Sequence, residues 1–135
     1  MSTLKVTNIQ NSSGGNTTTA DELYSGRAKA WVNFDGTFGT SPFTTANGGI
    51  RAAFNVSSVT DIALGQYTAN FTNAMPDTNY AAVAMSYYGD VTNENGYLTL
   101  EDGRLAARTT SSFTLATTTA ANYNDSAITS IVIFR

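Results

Sequence analysis

Short runs of period-two alternation, broken again and again by turn residues, leave this chain few ways to fold. From Gln66 to Thr72, Tyr67, Ala69 and Phe71 share one face while Gln66, Thr68, Asn70 and Thr72 share the other. That is the pattern of a half-buried strand. Pro76, Asp77 and Asn79 then break the run. Proline fixes φ and offers no N–H, and the Asp and Asn side chains bond their own backbone. From Tyr80 to Tyr88 the residues are apolar or small on both faces. A strand of that kind is covered on both sides. The stretch therefore reads as strand, turn, strand, with the second strand central and the first its less buried neighbour.

The same grammar runs through most of the chain. Ala28, Ala30, Val32 and Phe34 fall on one face of a strand, opposite Lys29, Trp31 and Asn33. Thr37 to Gly49 reads as a loop held down by Phe38 and Phe43. Ile50 to Val56 resumes a strand, Ser57-Ser58 reads as a turn, and Val59 to Leu64 leads through Gly65 into the central stretch. Beyond it lie Tyr97 to Glu101, the Asp102-Gly103 hairpin turn, Leu105 to Thr109, and Ser112 to Thr117. The last strand, within Ser126 to Arg135, is apolar on both faces, with Val132 and Phe134 on one and Ile131 and Ile133 on the other. Such a strand is central in a sheet or buried against other subunits. The one helical turn signalled is Ala20 to Ser25, with Thr19 as N-cap, Asp21 and Glu22 in the first turn and Gly26 as the stop. The sum is an all-β chain: an antiparallel β-sandwich or barrel-like domain over 20–135, preceded by an extended arm and linker over 1–19.

Composition removes most chemistry. The 135 residues hold no Cys and no His. Disulfides and thiolate metal sites are therefore out, along with the commonest general base and the commonest metal ligand. Nucleophilic Ser-His-Asp and Cys-His systems cannot be built. No cofactor and no enzymatic activity are expected. Charged residues make up 13%, and the surface must be Thr, Ser, Asn and Gly instead. A net charge of −3 with scattered Lys and Arg gives no basic patch for nucleic acid. No run approaches the ~20 apolar residues of a membrane span, and the start Met1 to Lys5 lacks a signal-peptide core, so synthesis in the cytoplasm without an export signal is expected.

Carboxylates remain. Asp90, Glu94, Glu101 and Asp102 lie close in sequence, and a pair such as Glu94 and Glu101 could converge as in a glycosidase, against the simpler account that acidic residues in turns are solvated. Val91 to Asp102 partly matches a calcium-loop pattern, but Val91 occupies the first ligand position and the flanks read as strands, so an EF-hand is rejected.

The better candidates are surfaces. Leu4 and Val6 share one face of a short extended segment that also holds Ile9, and Asn11 to Thr19 is a polar, Gly-rich linker. An apolar strand on such a tether pairs with another chain or a docking partner, unless it folds back on its own domain. Trp31, the only tryptophan, sits on the more polar face of its strand. A second core layer, a subunit interface and a stacking platform are all open to it. Together with Ile131, Val132, Ile133 and Phe134 these residues form the docking and oligomer set. Tyr87, Tyr88 and Tyr97, at the loop rims, are candidate receptor contacts, because tyrosine pairs an apolar face for stacking on sugar rings with a hydroxyl. Core packing or turn anchoring is the competing account of them.

Ser2 to Gly15 resembles the N-terminal arm of phage tail-fibre proteins, especially those of marine and cyanobacterial phages. Arg27 to Gly36, Ile50 to Asp61 and Gln66 to Tyr80 are similar to parts of their small β-rich distal domain. The resemblance covers about the first two-thirds of the chain, and its motifs are structural. It implies a homotrimer on the virion surface, with other virion proteins and a host-surface glycan as partners. The chain has no long shaft, coiled-coil heptads or collagen-like repeat. The expectation is therefore a short fibre or knob, with capsid decoration as the alternative and a carbohydrate-active domain as a more distant one.

Overall fold

The structure is a computed structural model that describes residues 5–10, 12–14, 17–87, 108–119 and 122–135, together with the backbone of 98–101. It is an all-β sandwich-like domain. Ten strands occur among the described residues: β1 (Asn8–Ile9), β2 (Thr18–Thr19), β3 (Ala28–Phe34), β4 (Ile50–Phe54), β5 (Val56–Ala63), β6 (Gln66–Phe71), β7 (Ala81–Tyr87), β8 (Leu98–Glu101), β9 (Ser112–Thr118) and β10 (Ile128–Phe134). One short helix occurs among the described residues, α1 (Ala20–Gly26), which follows β2. The strands form two four-stranded antiparallel sheets, in the orders β4-β3-β10-β7 and β5-β6-β9-β8, and a separate β1-β2 pair.

The period-two faces read from the sequence are the layers of the sandwich. Ala30, Val32 and Phe34 of β3 and Ile131 and Ile133 of β10 point inward from the first sheet. Val59, Tyr67, Ala69, Phe71, Phe113 and Leu115 meet them from the second. Aromatic rings join the layers: Phe34 packs edge-on to Tyr67 at 5.1 Å between centroids, and Phe43, from the loop after β3, lies 6.1 Å from Phe34. The loop 37–49 is thus held down by Phe43, fully buried, and by Phe38 against it, as the sequence predicts.

Gln66 to Tyr88 departs from the expected hairpin. β6 and β7 belong to different sheets, and the turn residues between them carry the chain across the sandwich. Met75 and Tyr80, both buried, plug that crossing, and the Tyr80 hydroxyl donates to the carbonyl of Ser112 at 2.9 Å. The expected burial is also reversed. β6 is an inner strand between β5 and β9, whereas β7 is an edge strand beside β10. The turn placed at Ser57-Ser58 lies instead at Asn55, which has φ 55°, and β5 includes the two serines, with a shift of register against β6 between Val56 and Ser58. Asparagine tolerates the left-handed region. Here its amide also donates to the carbonyls of Lys29 and Asn73 and accepts from the Asn73 N–H at 2.8 Å.

Tyr67 ties the core to the loops at one end of the sandwich. Its hydroxyl donates to Asp125 Oδ1 at 2.7 Å and lies 3.2 Å from the carbonyl of Gly36, while the Gly65 N–H donates to the same Asp125 oxygen at 2.7 Å. Burial, and then the bond to the Asp125 carboxylate, push the Tyr67 phenol well above its ordinary value. It therefore stays a neutral donor. A Cβ at position 36 would meet the Tyr67 hydroxyl at 2.5 Å and the carbonyl of Ser126 at 2.7 Å. We expect Gly36→Ala to destabilise the domain by about 1–3 kcal/mol, the usual cost of forcing atoms into a packed site, measured by chemical denaturation. In the opposite sense, Thr129 is fully buried on the inner face of β10, and its hydroxyl finds no hydrogen-bond partner among the described residues. Thr129→Val removes that group at nearly constant shape. It should raise stability by about 1 kcal/mol or more, read in the same assay.

Candidate interaction surface

The outer faces of the two sheets are unlike. On the second, polar side chains bond one another: Thr68 and Thr114 hydroxyls lie 2.8 Å apart, and the Asn70 amide donates to Ser58 and Thr60 at 3.1 and 3.0 Å. On the first, the register Phe54↔Trp31↔Val132↔Val83 sets four apolar side chains in a row across all four strands. Met85, Tyr87, Ile128 and Phe134 extend that face along β7 and β10.

β7 is built inside out. Its inward residues are Ala82, Ala84 and Ser86, and its large side chains Val83, Met85 and Tyr87 point outward. Val83 is 61% exposed, Met85 73%, Tyr87 51%, Phe54 50% and Trp31 37%. The next row is polar at its centre, where the Asn33 amide donates to the Ser130 hydroxyl at 2.8 Å, and the apolar row beside it has the character of an interaction surface.

The expected oligomer set is sorted by this geometry. Trp31, Val132 and Phe134 lie on the outer face. Ile131 and Ile133 do not, because they are buried in the chain's own core. The expectation that β10 is central in its sheet holds, but only one of its two apolar faces looks outward. Phe54, Val83, Met85 and Ile128 are additions that the sequence reading missed. The alternation of large and small residues along 82–87 was the available signal. Of the receptor candidates, Tyr87 belongs to this outer face, while Tyr88 and Tyr97 lie outside the described residues. So do Leu4, Asp90, Glu94 and Asp102, and the side chain of Glu101.

The N-terminal segment makes a second apolar surface. β1 pairs with β2 and with neither sheet of the sandwich, so the extended arm and linker fold into a short hairpin. Val6 and Ile9 line an open groove of about 370 Å³ with Ala20, Leu23, Tyr24 and Arg27. α1 begins where the sequence places it, on a capping box. The Glu22 N–H donates to Thr19 Oγ1 at 3.0 Å, and the Thr19 N–H donates to the Glu22 carboxylate at 2.8 Å. Lys29 reaches from β3 to the carbonyl and ring of Tyr24 and tethers the helix to the sandwich.

Comparison with family models, with curated proteins and with solved structures finds no match to this chain. Function therefore has to be argued from these surfaces. Among the described residues no three acidic side chains gather as a metal site, and no helix is long and apolar enough to cross a membrane. An open hollow of about 510 Å³ beside Leu64, Gln66 and Tyr123 offers little free polarity, because the Asn124 amide on its wall already donates to Thr119 and Asn122.

The capping box gives a pH-dependent test of the N-terminal groove. The Thr19 N–H, then its hydroxyl, hold the Glu22 carboxyl below the ordinary range. A depressed folded value means that the contribution is complete above about pH 5 and is lost as pH falls through about 4 and below. Hydrogen-exchange protection in α1 should therefore fall on acidification. Thr19→Ala should lower it about fivefold at neutral pH, with the sandwich strands unchanged.

Proposed function

We propose that this chain is a virion structural protein, a short trimeric tail-fibre or knob-like appendage. It docks through its N-terminal segment and meets the host surface with its loops. The observation that carries the reading is the pair of separate apolar surfaces, one on the outer sheet face and one on the β1-β2-α1 segment. One suits association of copies and the other attachment to a larger body. The resemblance of Ser2 to Gly15 and of Arg27 to Gly36 to tail-fibre proteins points the same way. In this reading the protein is made in the host cytoplasm and works on the virion, with other virion proteins and a host-surface glycan as its partners. Tyr87, exposed at the end of β7, is the described candidate for sugar stacking.

Capsid decoration uses the same two surfaces, but a clamp across neighbouring capsomers needs reach. The pairing of β1 with β2 folds the segment back and shortens it, which favours the appendage. Light scattering on the purified chain should give three times the chain mass. Deleting residues 1–19 should abolish attachment to particles and leave the sandwich folded, since every core residue lies beyond that segment. A truncated chain that still attaches overturns the docking role, and a monomer overturns the trimer.

A further inference from the structure

We infer that the outer face of the β4-β3-β10-β7 sheet is the surface on which copies of this chain pack, centred on the row Phe54, Trp31, Val132 and Val83. The inference deepens the trimer reading above. It rests on that reading for the number of copies but not for the choice of face.

Three observations select a second copy as the occupant. The first is area. The exposed parts of Trp31, Phe54, Val83, Met85, Tyr87 and Ile128 amount to roughly 600 Å² of apolar surface, from ordinary side-chain sizes, at the upper end for a monomer's largest patch. In a ring of three each copy divides that area between two neighbours, roughly 300 Å² to each, and the polar rim supplies the remainder of the about 800 Å² per partner found in stable complexes.

The second is charge. Outward positions on the four strands are apolar or neutral except Lys29, which is engaged by Tyr24 at the rim, and Arg51, which is exposed on β4 and paired with Asp35 at 3.0 Å. Each copy carries a net charge of −3, so a carboxylate on a self-associating face would meet its own kind. None of the four strands carries a carboxylate, and the one nearest in sequence, Asp35 after β3, is paired with Arg51. Depletion of charge at the centre is the compositional mark of an interface.

The third is the placement of the large side chains. Phe54 stands on β4 at one edge of the sheet, and Val83 and Met85 stand on β7 at the other. In a closed ring of three, each copy's β4 edge meets the next copy's β7 edge, and Trp31 and Val132 on the inner strands turn toward the axis. That is a heterologous contact, and it closes by rotation.

The full-length chain and Met85→Lys, at a position 73% exposed and outside the core, test this by sedimentation over a range of concentrations. The parent should be a trimer. Met85→Lys should weaken assembly at least tenfold with an unchanged far-ultraviolet spectrum and melting profile of the dissociated chain, and Trp31→Lys should do the same. Because the chain has no Cys, the double variant Phe54→Cys, Met85→Cys should form covalent trimers on oxidation, whereas either single variant should not. If the parent is a trimer and both lysine variants assemble as it does, the face is not the interface, although the trimer reading stands. A parent that is monomeric at every concentration overturns both, and the cover of this face is then a different protein.

Discussion

The packing of Phe34 against Tyr67 is the contact on which the rest of the sandwich depends. One ring comes from β3 and the other from β6, so this pair fixes the spacing and angle of the two sheets. Phe43 then presses on both and fastens the long loop after β3. An edge-to-face pair of this kind adds about 0.5–1.5 kcal/mol beyond its buried area. The Tyr67 hydroxyl does a second job, because a phenol buried in the core has to find acceptors. It finds them in Asp125 and near Gly36, and so brings the β3 end, the β5-β6 turn and the approach to β10 together. Close approach at Gly36 and the φ of +66° at Gly65 are the backbone consequences.

A core filled by rings from β3, β6, β9 and the connecting loops leaves little room beneath β7. Tyr80 takes the space where the chain enters that strand, in edge contact with Phe71 and Phe113. Small residues follow on the inner side of β7, and the strand's apolar bulk goes outside. The exposed face is therefore coupled to the core. Larger inward residues on β7 would have to displace rings that hold the two sheets together.

How much of this was legible depends on what a period of two can say. It assigned the faces of β3, β6 and β9 correctly, and the cap signals located α1 at Thr19. It also made β10 a central strand, because a run apolar on both faces cannot be solvated. It could not say which sheet a strand joins. Gln66 to Tyr88 looked like a hairpin because its turn chemistry is real: the Asn79 N–H donates to Asp77 at 2.8 Å, and Asp77 also pairs with Arg135. The burial of Met75 and Tyr80 converts that turn into a crossing, and no local pattern encodes it. Nor could alternation tell which face of β10 looks inward, so Ile131 and Ile133 were grouped with residues that lie on the opposite side. The Asn55 turn was missed for a different reason. Two serines are a common turn signal, but the side chain that satisfies three backbone groups is the asparagine before them.

The two outer faces, compared with each other, show that the apolar one is not a by-product of composition. A chain rich in Thr, Ser and Asn covers its second sheet with hydroxyls and amides that bond across strands, as Thr68 does to Thr114 and Asn70 to Ser58. Threonine suits a strand as well as valine does, and it costs nothing in solubility. The same vocabulary was available for β7 and β10, yet apart from Ala81 and Ser130 the outward positions there hold Val83, Met85, Tyr87, Ile128, Val132 and Phe134. Folding alone does not ask for this, since these side chains add little to the core. Solubility argues against it, because edge strands with exposed apolar residues invite aggregation. In the assembly proposed above, a neighbouring copy covers this face and removes that liability.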